Sequence, residues 1–222
     1  MKILFRDKEF VAVHKPSGVP VYSDPNAREE GAQDLLKESL GRPVFPVHRL
    51  DKGTCGILVF AFRSESAARL QKLFSSKQVE KTYWAVVLGE APEGGKITEP
   101  LAGNKEKEKK PALTYFKRRG ILHLRLDDET PYVLSFLELN PHTGRFHQIR
   151  RHLKHIGFPI VGDPDYGPIG VQKKVQRKLG TQRILLSSVR LSFRHPFHQK
   201  IVEVSSTPQD DMAKVIRLFQ KG

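Results

Sequence analysis

His48-Arg49-Leu50-Asp51-Lys52-Gly53-Thr54-Cys55-Gly56-Ile57-Leu58-Val59-Phe60-Ala61 is the stretch on which the fold turns. Its second half, 57–61, is a continuous apolar run. It is too short for a helix, is entered through glycine, and suits a strand buried on both faces. Its first half is a glycine-rich turn holding His48, Arg49 and Asp51 where a loop enters the core, preceded by Pro43 and Pro46. Working outward toward the N-terminus, 33–40 reads as a short helix stopped by Gly41. Residues 14–22 read as a loop broken by Pro16, Gly18 and Pro20, and 3–5 and 10–13 as short strands joined at Asp7 and Lys8. Toward the C-terminus, Ser64 is expected to cap a helix whose Ala67, Leu70, Leu73 and Phe74 repeat at helical spacing. Residues 81–89, rich in aromatic and β-branched side chains, read as a strand.

Beyond these, the charged stretch 104–111 is expected to be a mobile surface loop. Strands are expected at 113–117, 122–126, 133–139, 184–193 and 201–204, and a helix at 146–156 ended by Gly157 and Pro159. Residues 172–178 form a second basic segment. Thr207 and Pro208 open a last helix with Met212, Val215, Ile216 and Phe219 on its apolar face. No internal repeat occurs, and the steady strand–helix alternation of a doubly wound sheet is missing. The fold class expected is therefore α+β.

The 222 residues carry 38 Lys and Arg against 24 Asp and Glu, a formal net charge of +14. The excess is lopsided: residues 1–103 hold 15 basic and 13 acidic side chains, residues 104–222 hold 23 and 11. A positive surface in the second half makes a polyanion the natural partner, because each cation that neutralises a phosphate releases a counterion. A solvated basic face explains the same numbers without any partner. The apolar content argues against disorder. No apolar run approaches the ~18 residues of a membrane helix, and the opening MKILFRDKEF lacks the uninterrupted core of a signal peptide. One cysteine, Cys55, forbids an intrachain disulfide and a multi-thiolate zinc site. A cytosolic protein is expected.

Three windows hold chemistry. In 48–56, Gly53 and Gly56 bracket Asp51 and permit close approach of backbone or ligand, although an Asp beside a base in a tight turn is often only a structural ion pair. In 140–157, Thr143 and Gly144 form a turn before a helix crowded with Arg145, Arg150, Arg151 and Lys154. Helical spacing puts Arg150 and Lys154 on one face and His147 and Arg151 on a neighbouring one. Such a helix suits a phosphate backbone or, more blandly, water. His142, His147, His152 and His155 do not form the paired spacing of a helical zinc site, and no metal is expected. Cys55 suits a small packing residue better than a nucleophile. The third window, Lys81-Thr82-Tyr83, offers a flat ring and a hydroxyl at a strand start.

Taken together and in order, these windows resemble the pseudouridine synthase family typified by ribosomal large-subunit pseudouridine synthase A. The landmarks are Lys15-Pro16-Ser17-Gly18, the segment from His48 to Gly56, Lys81-Thr82-Tyr83, Thr143 to His152, and Gly162-Asp163 with Tyr166-Gly167. The resemblance spans about residues 3–205. It implies one catalytic domain, 1–222, on a bent, mainly antiparallel mixed sheet flanked by a few helices. It also implies isomerisation of uridine in RNA, with no cofactor and no metal, by an enzyme that flips the nucleotide out of its stack. By the same resemblance Asp51 is the essential carboxylate, Arg145 its guanidinium partner, and Tyr83 the ring that stacks on the flipped uracil. Arg49, Ile149, His48 and Arg150 are assigned to substrate binding, with Ile149 packed beneath the pocket. The basic segments 104–119 and 172–183 would grip RNA outside the site.

Arg150-Arg151-His152 and His195-Pro196-Phe197 point within the family to transfer RNA rather than ribosomal RNA. The expected enzyme is a monomer without membrane partners. Cys55 stands where the family usually has Ser, and the domain is expected to act without an S4-type RNA-binding module. Two other readings compete. Asp51-Lys52-Gly53-Thr54 partly matches the loop of aspartyl-phosphate enzymes, with Gly162-Asp163 as a magnesium carboxylate, but the spacing is one residue short. A non-catalytic RNA-binding protein on the same fold would not need a carboxylate facing a polyanion.

Overall fold

The computed structural model describes the chain except residues 25, 27, 105–107, 127–130, 209, 221 and 222. The first elements are β1 (Lys2–Arg6), β2 (Phe10–Lys15), α1 (Ala32–Leu40), β3 (Phe45–Pro46), β4 (Cys55–Ala61), α2 (Ser64–Ser75) and β5 (Glu80–Leu88). There follow β6 (Gly94–Ile97), β7 (Leu101–Ala102), β8 (Lys109–Lys110), β9 (Thr114–Arg125) and β10 (Pro131–Pro141). The chain closes with α3 (Gln148–His155), α4 (Ile169–Leu179), β11 (Leu186–Arg194), β12 (Ile201–Ser205) and α5 (Asp210–Leu218). The class is α+β, as the sequence predicts. No described helix is long and apolar enough to cross a membrane. The chain divides into two compact units, residues 1–81 with 188–209, and residues 82–187 with 210–222.

In the first unit every residue of β4 is buried. It pairs antiparallel with β2, from Phe10↔Ala61 to Lys15↔Gly56, and β2 pairs with β1. β12 pairs antiparallel with β11, which neighbours β4. Ile57, Val59 and Ala61 alternate onto one face with Phe10 and Ala12, where Ala67 and Leu70 of α2 and Val202 and Val204 of β12 complete the core. That period of two is what a strand requires. The cap expected of Ser64 is not formed: Ser64 is the first helical residue and Arg63 is the N-cap, without a side-chain cap bond. Glu9 secures the helix start instead, accepting from Arg63 (2.6 Å) and from Ser66 Oγ (2.5 Å).

Gly56 is the tightest point of this unit. Its φ is +110°, a region that side chains rarely enter, and a Cβ there would lie 2.1 Å from the Ser188 carbonyl oxygen.

In the second unit the strand order is β5-β10-β9-β6, with antiparallel pairing at β10–β5, β10–β9 and β6–β9. Ala85, Val87, Leu137, Leu139 and Phe116 pack with Ile149 and Leu153 of α3. Val86, Leu88, Leu134 and Phe136, of opposite phase, pack with Val175 of α4 and Met212, Val215 and Ile216 of α5.

The two strands predicted at 113–117 and 122–126 are one strand, β9. Its register with β10 shifts between Arg118↔Leu137 and Gly120↔Phe136, leaving Arg119 as an extra residue. The bulge reverses the alternation: Phe116 faces the α3 side, whereas Leu122 and Leu124 join the cluster under α5. Read without the bulge, the phase break looks like a turn. The basic segment at 172–178 is the body of α4, whose Gln172 and Val175 are buried. The expected mobile loop at 104–111 is in part β8, and its residues 105–107 lie outside the described ones. The helix predicted from 146 begins at Gln148, because His147 is left-handed (φ 49°).

Substituting Gly56→Ala forces the Ser188 backbone to move. Thermal unfolding should show a loss of at least about 3 kcal/mol, a fall in melting temperature of roughly 10 °C. An unchanged melting temperature would contradict this account of the β4–β11 approach.

Candidate active site

The Asp51 turn is built in the first unit and fastened by a buried lysine. Thr54 N–H donates to the Asp51 carbonyl (3.0 Å), closing the turn over Lys52 and Gly53. Lys15 is fully buried at the end of β2, in phase with Val11 and Val13. Its ammonium donates to the carbonyls of Pro16 (2.9 Å), Val19 (2.6 Å) and Lys52 (3.1 Å). The Gly18 N–H also donates to the Lys52 carbonyl (2.9 Å), and Ser17 Oγ donates to the Gly53 carbonyl (2.6 Å). One cation and two shorter links thus tie loop 16–19 to the turn that presents Asp51. Burial pushes the Lys15 ammonium down to about 8, opposed by Cys55 and Asp51. Asp51 itself is half-buried, Cys55 is fully buried and Arg49 is exposed.

His48 has an internal role. Its ring stacks on Phe74 with centroids 4.4 Å apart, and its Nε2 accepts the Val59 N–H (3.2 Å). Burial, with the nearby Lys81 cation, pushes it down to about 3, so the ring is neutral at any physiological pH. Lys81 is itself pushed down to about 8 by burial.

In the second unit Tyr83 lies on β5 opposite Leu139, packed against the cluster that contains Ile149. Ile149 is buried there. Arg145 sits in the turn before α3, with its Nε donating to the Pro111 carbonyl (3.3 Å). That turn hangs on Gln148, which is buried and fully engaged. Its Oε1 accepts from Thr143 Oγ1 (2.6 Å) and the Arg145 N–H (3.0 Å), and its Nε2 donates to the Leu113 carbonyl (3.1 Å) and Thr114 Oγ1 (3.0 Å). His152 continues the network. Its Nε2 bonds the Glu99 carbonyl (3.0 Å) and so carries the proton, leaving Nδ1 to accept from Thr114 Oγ1 (2.9 Å). Burial lowers its pKa. A left-handed His147 costs about 1–2 kcal/mol. Gln148, the next residue, anchors the turn that contains it.

Arg150, assigned from sequence to substrate, is turned inward. It is 6% exposed and grips the buried Asp163 with two parallel bonds, Nε to Oδ2 (2.8 Å) and Nη2 to Oδ1 (2.6 Å). Nη2 also reaches Asp165 (2.5 Å), and the guanidinium lies 5.0 Å from the Tyr166 ring centroid. Asp163 Oδ1 in turn accepts the N–H groups of Asp165 and Tyr166. The Gly162–Gly167 landmark is therefore a turn capped by one carboxylate and locked by one arginine.

Gln148, Lys15 and Asp163 organise these turns, and none of them receives a role from motif reasoning. The legible signal for Lys15 was a lysine in phase with two core valines. Gln148 gives no comparable signal, because an amide in a basic segment reads as surface.

A metal is best accommodated, among the described residues, by Asp7, His195 and His198, with ligand atoms within 4.8 Å of one another. The protons are already allocated there. His195 Nδ1 accepts the Phe197 N–H (3.2 Å), so Nε2 carries hydrogen and donates to Asp7 Oδ2 (2.9 Å). The group latches Asp7, which caps Glu9 and Phe10 through Oδ1.

The first unit thus holds a clamped turn bearing Asp51, and the second unit holds Tyr83 on β5 and a hydrogen-bonded turn bearing Arg145. Residues 9–155 match the model of the family described as RNA pseudouridylate synthase. The chain is 34% identical over 237 residues to "tRNA pseudouridine synthase C" of Pasteurella multocida, covering 99% of this chain and 96% of that protein. It is 33% identical to the protein of the same name from Haemophilus influenzae, covering 99% and 98%. Among solved structures, Human RNA Pseudouridylate Synthase Domain Containing 1 superposes with a TM-score of 0.74 at 25% identity, covering 93% of this chain and 83% of that one. Human RNA Pseudouridylate Synthase Domain Containing 4 shares the fold, with a TM-score of 0.75 at 23% identity over 99% and 93%. The chain belongs to the RNA pseudouridylate synthase family and is an RNA pseudouridine synthase, an isomerase.

Removing the Arg150 guanidinium leaves Asp163 charged and buried without its partner. Arg150→Ala should therefore cost about 3–5 kcal/mol in chemical denaturation. A variant of wild-type stability that binds RNA poorly would return Arg150 to the substrate-binding set.

Proposed function

We propose that the enzyme isomerises one uridine in a transfer RNA, with Asp51 as its catalytic carboxylate. The near full-length similarity to proteins named tRNA pseudouridine synthase C carries the choice of RNA. The reaction exchanges the N1–C1′ glycosidic bond for C5–C1′. N1 gains a proton and C5 loses one, so substrate and product are isomers. An aspartate carboxylate is ordinarily ionised at neutral pH. It assists base departure as a nucleophile or by stabilising charge, and the clamped turn holds it in one orientation. Tyr83 stacks on the flipped uracil, an interaction worth roughly 1–3 kcal/mol. Arg145 supplies the compensating positive charge, and Arg49, exposed beside the Asp51 turn, contacts the RNA. The enzyme works as a single catalytic domain and a monomer in the cytoplasm, and an isomerisation of this kind calls for neither metal nor cofactor.

Asp51→Asn should abolish tritium release from 5-tritiated uridine in transfer RNA while changing RNA affinity less than about threefold. Substantial residual release would remove Asp51 from the chemistry. Release from ribosomal RNA alone would correct the substrate and leave the residue assignment in place.

Electrostatic grip fits α4. Lys173, Lys174, Arg177 and Lys178 are exposed, and the helix contains no acid. Their spacing of four residues places two cation pairs along one face. Affinity should fall steeply with salt. Replacing Lys173 and Arg177 together by Gln should reduce the slope of log affinity against log salt by about 1–2; an unchanged slope would take α4 out of the RNA contact.

A further inference from the structure

The β6-β9-β10-β5 sheet carries α5 over Val86, Leu134 and Phe136 on one face. Farther along that same face runs a row of different character. Tyr115 on β9 is 42% exposed, in phase with Lys117 and opposite in phase to the core residue Phe116. Its register partners are Lys96 on β6 and Asn140 on β10. The Tyr115 ring meets the exposed His142 ring edge-on, with centroids 5.0 Å apart and planes at 68°. His142 is held by its N–H to the Leu113 carbonyl (2.9 Å). Lys96, across the ladder from Tyr115, and Lys117, two residues along β9 on the same face, are both exposed. The acid opposite Lys117, Glu138, is already bonded by Arg119 at 2.7 Å.

An exposed phenol oriented by a second ring, with two exposed lysines as neighbours on its face of the sheet, is poorly explained by packing. It is well explained by a ligand with a flat face and negative charges beside it. A nucleotide within an RNA strand has that form: the base stacks, and the flanking phosphates meet the lysines. The pair also shares its strand ends with the Arg145 turn, since Arg145 Nε bonds the Pro111 carbonyl.

We propose that Tyr115 and His142, with the neighbouring Lys96 and Lys117, form a second RNA contact on which an unpaired base of the substrate stacks. The proposal rests on the RNA-modifying function above and adds a recognition element to it. Stacking is sequence-tolerant, so this contact selects for an unpaired nucleotide and not for a particular base. It favours RNA in which the target helix borders a loop or a junction.

The test is transfer RNA binding by the full chain, with pseudouridine yield and melting temperature measured on the same preparations. Tyr115→Ala should weaken binding about tenfold, and Tyr115→Phe should stay within about twofold. The Lys96→Gln, Lys117→Gln double variant should lower the salt slope by about 1–2. Because all three side chains are exposed, melting temperatures should not move. Wild-type affinity in Tyr115→Ala overturns the proposal. So does an equal loss in Tyr115→Phe, which would indicate a hydroxyl contact without stacking. A wild-type protein that binds RNA by these residues yet yields no pseudouridine overturns the catalytic reading and leaves the contact standing.

Discussion

A single buried ammonium governs the geometry of the aspartate turn. Lys15 is taken wholly out of water and compensated by three main-chain carbonyls instead of a carboxylate. Desolvating a cation is expensive, and carbonyl dipoles repay it only if they converge. That requirement forces loop 16–19 and the turn after Asp51 into one arrangement. Ser17 and Gly18 then add bonds that would be too weak alone to order two loops. The same arrangement puts a positive charge near Asp51. Structure and electrostatics at the turn therefore come from one side chain.

The second unit reaches a comparable order with neutral groups. Thr143, Gln148, Thr114 and His152 form a continuous hydrogen-bonded chain from the Arg145 turn to the Glu99 carbonyl. Every donor and acceptor in the Gln148 amide is used, and such networks specify one geometry because each lost bond leaves a buried polar group unsatisfied. Burial holds His48 neutral and lowers the pKa of His152. The His48 ring stays uncharged at physiological pH, whereas the ammonium that fastens the Asp51 turn, pushed down to about 8, loses its charge as pH rises through that value.

Much of this was legible in the sequence, and the failures have identifiable causes. The run at 57–61 declared itself as a buried strand because nothing polar interrupts it. The helix ending at Leu40 stops at Gly41, whose φ of 63° no bulkier residue would adopt as easily. Lys15, Gln148 and Asp163 lie in landmark segments, as the expected site residues do, but the hydrogen bonds they make were not legible there. Arg150 read as a surface cation because its partner, Asp163, lies thirteen residues away and contact at that separation follows from tertiary structure alone. His48 read as a site residue for the same reason: only the fold brings Phe74 against its ring. The segment 172–178 read as charge and not as helix, since its two buried positions, Gln172 and Val175, include an amide that periodicity does not count as apolar.

The extra residue at Arg119 has a consequence for how this chain changes length over time. Because side chains alternate, the bulge acts as a parity bit between the two halves of β9: Phe116 belongs to one layer and Leu122 to the other only while the count between them stays fixed. A lone gap or insertion anywhere from Phe116 to Leu122 would exchange the layers for half a strand. Homologous chains should therefore vary here by even numbers, or by odd numbers matched with a compensating change across the ladder in β10.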